Sequence, residues 1–235
     1  MRPYTYLLID FFTLLIPLIF SFHPKLRFDK KWKAFFPSMV MVGLLFLIWD
    51  AHFTKIGVWG FNPKYLLGLS MYGLPIEEIL FFICIPYACV FTYHCFSILK
   101  IQPFHLQSGR WISLFIILTL GVLLLTNFGK YYTTSTFILL IGTIAYLEFV
   151  SQINLTSFYF TYLILLIPFG ITNGILTGSF IPEEVVWYND SENLAFRLGT
   201  IPFEDIFYGM LLILWNVTLM EWIYTKSQSK ISSMA

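Results

Sequence analysis

Charge is scarce in this sequence. Only 11% of its 235 residues are Asp, Glu, Lys or Arg, while 58% are apolar; a soluble domain carries about 25% charged residues. That shortage excludes an ordinary solvated surface and makes lipid the expected solvent. Lipid offers the backbone no hydrogen-bond partners, so spanning segments are helices or closed barrels. The apolar runs lack the alternation that a barrel strand needs, which leaves helices. A basic excess is also missing: the formal net charge is +1, and no nucleic-acid partner is expected. Cysteine is rare. Cys84, Cys89 and Cys95 share one apolar run with no Cys-x-x-Cys pair, so they read as small buried hydrophobes and not as a disulfide framework. There is no Gly-x-Gly-x-x-Gly, no Walker motif, no His-rich cluster and no aspartate-rich diphosphate–magnesium motif. No Lys lies inside the last apolar run, which argues against a retinal Schiff base. No cofactor and no metal are expected, and any chemistry should run on protons and cavity shape.

What is present is hydrophobic length. Mean hydropathy is +0.76, and a bilayer core takes roughly 20 apolar residues per helix. Spans are expected at Pro3–Phe22, Ala34–Phe53, Leu74–Leu99, Trp111–Phe128, Tyr131–Val150, Phe158–Phe180 and Ile201–Tyr224. The fold class is therefore all-α: a polytopic membrane bundle of about seven helices. The first run lacks a basic leader and a small-residue cleavage site, so it reads as a retained helix. If the N-terminal side is called A and the opposite side B, side B holds nine Lys and Arg, including Lys25, Arg27, Lys30, Lys31 and Lys33, against five on side A. The positive-inside rule then puts side B in the cytoplasm, with the N-terminus outside and the C-terminus inside. A bacterial inner membrane is the expected location.

The chain repeats itself. Leu74-Pro75-Ile76-Glu77-Glu78-Ile79-Leu80-Phe81 and Ile201-Pro202-Phe203-Glu204-Asp205-Ile206-Phe207-Tyr208 are one phrase written twice. Gly57-Val58-Trp59-Gly60-Phe61-Asn62 precedes the first, and Val185-Val186-Trp187-Tyr188-Asn189 precedes the second. Trp49-Asp50 corresponds to Thr172-Asn173. We divide the chain into a first three-span unit (1–105), a connector span (106–129) and a second three-span unit (130–235), all in one membrane domain. Three spans plus one connector give the two units the same orientation, related by an axis along the membrane normal. Both acidic phrases then open on side A, where they can share one site.

A proline followed by acids is an ordinary helix start. Two such starts at matched membrane-boundary positions, flanked by apolar residues, carry more than that, because acids within a membrane are costly and mark function. Adjacent helix residues point about 100° apart, so one acid of each pair can face the bundle centre while its neighbour faces a loop. Glu77, Glu78, Glu204 and Asp205 are the candidate proton-handling set, with Asp50 in support. Aromatics crowd these motifs: Trp49, Trp59, Phe61, Tyr72, Phe81, Trp187 and Tyr208. They suit packing and an interfacial belt. Together they also suit a pocket for a long polyene, with ring faces that stabilise cations. Asn62 and Asn173 are candidate polar contacts. Asp10 sits mid-span, where it can tie helices together by hydrogen bonding. His52 reads as interfacial, and Arg197 as either the counter-ion of an acid or a loop charge.

These residues resemble a known family. The doubled Pro-x-Glu-(Glu/Asp) phrase, with Trp49-Asp50, Trp59-Gly60-Phe61-Asn62 and Phe81-Phe82, is similar to the small membrane lycopene cyclases, here with the two subunits of the heterodimeric type in one chain. The second copy departs from the pattern. Phe180-Ile181-Pro182-Glu183-Glu184 adds acids, and Asn173 stands where the first half has Asp50. The resemblance implies a lycopene β-cyclase, an intramolecular lyase or isomerase of carotenoid biosynthesis without net redox change. It implies the polyene lycopene as substrate, lipid and other carotenoid-pathway enzymes as surroundings, and the five acids named above as catalysts. A small proton-coupled transporter and a non-catalytic carotenoid-binding protein remain as alternatives.

Overall fold

The computed structural model describes residues 2–101 and 108–232, with backbone alone for Arg2 and residues 230–232. A 3-10 turn (Arg2–Tyr4) leads into α1 (Thr5–Phe20), and a second (Phe28–Lys31) leads into α2 (Trp32–Ile56). Three short strands follow: β1 (Trp59–Phe61), β2 (Ser70–Met71) and β3 (Leu74–Pro75). Then come α3 (Ile76–Leu99), α4 (Ser108–Thr126), α5 (Tyr131–Ala145) with a π-helical end (Tyr146–Val150), and α6 (Thr156–Leu176). β4 (Val186–Tyr188), β5 (Arg197–Leu198), β6 (Ile201–Pro202) and α7 (Phe203–Ser232) complete the chain. The expected boundary between residues 105 and 106 lies outside the described residues.

Among the described residues, six helices are long and apolar enough to cross a membrane. The exception is α1. Its 16 residues reach about 24 Å at 1.5 Å per residue, against a hydrocarbon core of about 30 Å. The chain between α1 and α2 rises to meet it. Ser21 Oγ shares a 2.6 Å hydrogen bond with Tyr87 Oη, and Phe28 is fully buried among Phe35, Tyr87 and Phe91. So the expected span Pro3–Phe22 is cut short by an inward-folded loop.

Two other expected starts shift. Helices were expected to open at Leu74 and Ile201, but those residues and their prolines form strands β3 and β6, each paired to the strand before it. Proline's fixed φ serves extended backbone as well as a helix start, and Pro75 takes the extended form (φ −64°, ψ 150°). The helices begin at Ile76 and Phe203, two residues after the expected starts, so each acid pair occupies the second and third helical positions. At the tip of the β2–β3 hairpin, Tyr72 and Gly73 both have positive φ, the signature of a type I′ turn.

The packing is interleaved. α1 lies along α3 and α5 along α7; α2 packs chiefly on α7 and α6 on α3; α3 and α7 touch each other. α4 bridges α5 and α6. The apolar core runs through this arrangement from Phe28 and Phe35 to Phe46, Phe82, Phe137 and Leu214. Above α3 and α7, β1 and β4 pair antiparallel in the register Trp59↔Tyr188, Gly60↔Trp187, Phe61↔Val186. Two flanking bonds extend the ribbon, Asn62 N–H to Val185 O and Asn189 N–H to Val58 O, both 2.8 Å.

Candidate active site

The acids meet under the β1–β4 ribbon. Glu77 and Glu204, the first members of the two pairs, turn to the loops. Glu77 Oε1 accepts from the Leu67 amide (2.6 Å), and Glu204 Oε1 accepts from the Leu194 amide (2.7 Å) and from Thr133 Oγ1 (2.5 Å). Each anchors the segment ten residues before it to the first turn of a helix. Each also leaves Oε2 buried without a partner.

The second members turn to the bundle centre. Glu78 Oε2 accepts from the Tyr6 hydroxyl of α1 (2.5 Å). Asp205 Oδ1 accepts from the Tyr132 hydroxyl of α5 (2.6 Å), while its Oδ2 accepts from Asn173 Nδ2 (2.7 Å) and from the Tyr188 hydroxyl (3.0 Å). Tyr6 and Tyr132 occupy matching places in α1 and α5, so the two tyrosine–acid pairs are built alike. Burial, first, and the adjoining Asp205 carboxylate hold the Tyr188 phenol well above the usual tyrosine range. It therefore remains an O–H donor.

The α2 and α6 contributions differ. Asn173 supplies an N–H donor to Asp205. Asp50, in the matching place, is a buried acid that accepts a bond from the Trp59 indole on one oxygen and leaves the other without a partner. Glu78 lies within electrostatic reach of Asp50, Asp10 and Asp205. One wall thus sets Asp50 and Glu78 within electrostatic reach of each other, and on the other three donors converge on Asp205.

Aromatic rings enclose the acids. Tyr208 packs edge-on against Phe46 (5.0 Å between centroids), Trp49 (5.1 Å) and Trp59 (6.1 Å). Trp59 meets Tyr132 at 5.0 Å, and Tyr132 stacks on Tyr188 at 6.0 Å with 18° between planes. Phe81 packs on Tyr6, beside Phe61.

Of the expected binding residues, then, Trp49, Trp59, Tyr208 and Asn173 stand at the acids, and Phe61 and Phe81 stand next to them. Three do not. Tyr72 is 90% exposed at a hairpin tip. Asn62 reaches into the surface loop, donating to Glu183 and to the Glu184 carbonyl (both 3.1 Å). Trp187 lies over Gly60 on the outer face of the ribbon, 40% exposed. Arg197 is a loop charge, paired with Asp190 at 2.6 Å. His52 is exposed. Asp10 does not tie helices together: it is buried, and neither carboxyl oxygen has a hydrogen-bond partner. The residues that went unnoticed are Tyr6, Tyr132 and Thr133. The repeat carries the signal for the tyrosines, since each stands in the first turn of its unit's first helix.

Chemically, the site holds buried carboxyl groups, phenol donors and ring faces beneath the ribbon. Among the described residues, no group of three or more His, Cys, Asp or Glu is placed to hold a metal ion.

A protein-family model described as lycopene cyclase matches residues 3–96 and again residues 129–223. Curated relatives are fungal proteins described as bifunctional lycopene cyclase/phytoene synthase. The one from Podospora anserina is 30% identical over 74 residues, which is 31% of this chain and 12% of that protein. The Aspergillus niger protein is 32% identical over 62 residues (26% and 11%), and that of Neurospora crassa 32% over 64 residues (27% and 11%). The matched stretches thus span about an eighth or less of those relatives' length. No solved structure matches.

Proposed function

Because the chain belongs to the lycopene cyclase family, we propose that it is an isomerase that closes the linear ends of lycopene into β-ionone rings by proton-initiated cyclisation. In this reading a carboxylic acid protonates the terminal double bond and leaves a tertiary cation. The neighbouring double bond attacks the cation and forms the ring bond. A carboxylate then removes the adjacent proton and restores an alkene, so the proton lost by the acid equals the proton gained by the base. Residues 1–105 and 130–235 act as two walls of one pocket, joined by the 106–129 connector, with side A outside the cytoplasm.

One observation carries the division of labour: Asp50 stands where the other half has Asn173. Two neighbouring carboxyl groups resist ionising together and share a proton. The Asp50–Glu78 wall is therefore the proton store, and Glu78 is the acid that delivers to substrate. An ionised carboxylate is a pure acceptor, and three donors converge on Asp205, which is the base. Glu77 and Glu204 hold the loops that close the pocket. The Trp49, Trp59 and Tyr208 rings shield the cation from water and stabilise it with their faces.

Toward side B the bundle is filled by Phe28, Phe35, Val90, Phe91, Leu214 and Met220. That apolar plug favours a cyclase over a proton-coupled carrier, which needs a polar route to both sides. Expression in a lycopene-accumulating host, with product chromatography, is the test. Ring-closed carotenoids are expected in place of lycopene. A well-expressed, folded protein that leaves lycopene unchanged would overturn the proposal.

A further inference from the structure

The connector helix brings a second polar site into the bundle, far from the acids. Where the N-terminal end of α4 meets the π-helical end of α5 and the start of α6, a cavity of about 350 Å³ is lined by Arg110, Glu148, Phe149, Gln152 and Asn154. Its size is within the range of small-ligand pockets. It opens at the side B end, where the polar headgroups of a bilayer begin.

Two opposite charges line this cavity and do not pair with each other. The Arg110 guanidinium lies over the Phe149 ring, 5.4 Å from its centroid, and is absent from the ion pairs of the described residues. Glu148 is held instead by the Ser113 hydroxyl, at 3.2 Å from Oε2; that hydroxyl also shares a 2.8 Å bond with Tyr159. A structural ion pair would close such a gap. Here a ring and a hydroxyl hold the charges apart. The backbone is also unusual. The π-turn at Tyr146–Val150 sets Glu148 and Phe149 in the lining, and Gln152 takes φ +53°, a left-handed conformation that costs a non-glycine residue energy. Nothing in the acid site requires either feature.

Exposed apolar side chains neighbour the lining residues in sequence: Trp111 and Phe115 on α4, and Tyr146 and Val150 at the end of α5, are each more than half exposed. A ligand here has a charged end in the cavity and hydrocarbon lying along these side chains. We propose that this cavity binds the headgroup of a phosphatidylethanolamine lipid. The phosphate meets Arg110, with Gln152 supplying an amide donor, and the primary ammonium meets Glu148. A phosphatidylcholine lacks N–H donors for Glu148, and a phosphatidylglycerol lacks a cation.

The test does not depend on catalysis. The full chain is incorporated in nanodiscs of phosphatidylcholine with equal small fractions of phosphatidylethanolamine and phosphatidylglycerol. It is then released into detergent, and retained lipids are counted by native mass spectrometry. About tenfold enrichment of the ethanolamine lipid over the other two is expected, equivalent to about 1.4 kcal/mol. Glu148→Gln should abolish the preference over phosphatidylcholine, while Arg110→Gln should lower retention of all three. Soluble phosphoethanolamine should not raise the melting temperature, whereas the lipid should. Equal retention of the three lipids by the wild type, or unchanged selectivity in both variants at wild-type melting temperature, would overturn the site. Protection by soluble phosphoethanolamine as strong as by the lipid would overturn the lipid as occupant.

Discussion

Gly60 and Trp187 face each other across the β1–β4 ribbon, and each is the other's counterpart in the repeat. Trp187 follows Gly60 by 127 residues, the same interval that separates Glu204 from Glu77 and Asp205 from Glu78. The pseudo-twofold axis therefore passes between them, and the ribbon is one segment of the repeat paired with its own copy. A Cβ on Gly60 would collide with the Trp187 indole. Gly60→Ala should lower stability by about 1–3 kcal/mol, the usual cost of overpacking. Thermal unfolding in detergent measures it, and an unchanged melting temperature would show that the indole swings aside freely.

Glu78→Gln and Asp205→Asn each remove one partner of the proposed proton exchange. General acid–base groups contribute about 10²–10⁴-fold, so each variant should convert lycopene at least a hundredfold more slowly, with protein levels unchanged. Product chromatography after timed incubation reads this directly. Full activity in either variant would remove that acid from the mechanism.

Asp50→Asn makes the first wall resemble the second. The Trp59 bond survives on the amide oxygen, and an uncharged amide replaces the acid within electrostatic reach of Glu78. We expect about a hundredfold loss of cyclisation, on the same acid–base scale, with no fall in melting temperature. A fall in stability together with normal turnover would assign Asp50 a structural role only.

Tyr132→Phe deletes one of the three donors on Asp205 and keeps the ring stacked on Tyr188. A buried acceptor that loses its donor costs about 1–3 kcal/mol. The loss should appear as a lower melting temperature, and turnover should fall because Asp205 is less firmly held. Tyr6→Phe makes the matching cut at Glu78, where there is a single donor. A change in stability without any change in turnover for both variants would show that the tyrosines do not act through the acids.

Asp10→Leu should stabilise the protein. Both carboxyl oxygens are buried without partners, and desolvating an unsatisfied polar group costs about 1–3 kcal/mol, which leucine avoids. A higher melting temperature is the expected result; a lower one would reveal a partner that holds the carboxyl.

Much of this was legible beforehand, and for physical reasons. Span positions follow from apolar run length, because lipid enforces helices. The repeat is visible because Pro, acid and aromatic residues are rare enough in combination for their recurrence to stand out, and adjacent helix positions already separate Glu77 from Glu78 in direction. Tyr6 and Tyr132 were harder to see. Among 14 tyrosines, only their shared place as second residue of α1 and of α5, and the meeting of α1 with α3 and of α5 with α7, single them out. Tyr72 misled because aromatic content near a motif says nothing of which way a hairpin points. The shortened α1 was hidden too: its apolar run continues past Phe20, but Ser21 turns the chain inward to Tyr87.

The interleaving of the helices has a consequence for how such a chain arose. Each unit's middle helix lies chiefly against the other unit's acidic helix, so neither unit is complete alone. A gene encoding a single unit would yield a product that must associate with its own twin to close a pocket, and that pocket would have identical walls. Fusion after duplication frees the walls to drift apart. Asp50 and Asn173 mark that divergence, a difference that no symmetric ancestor could carry.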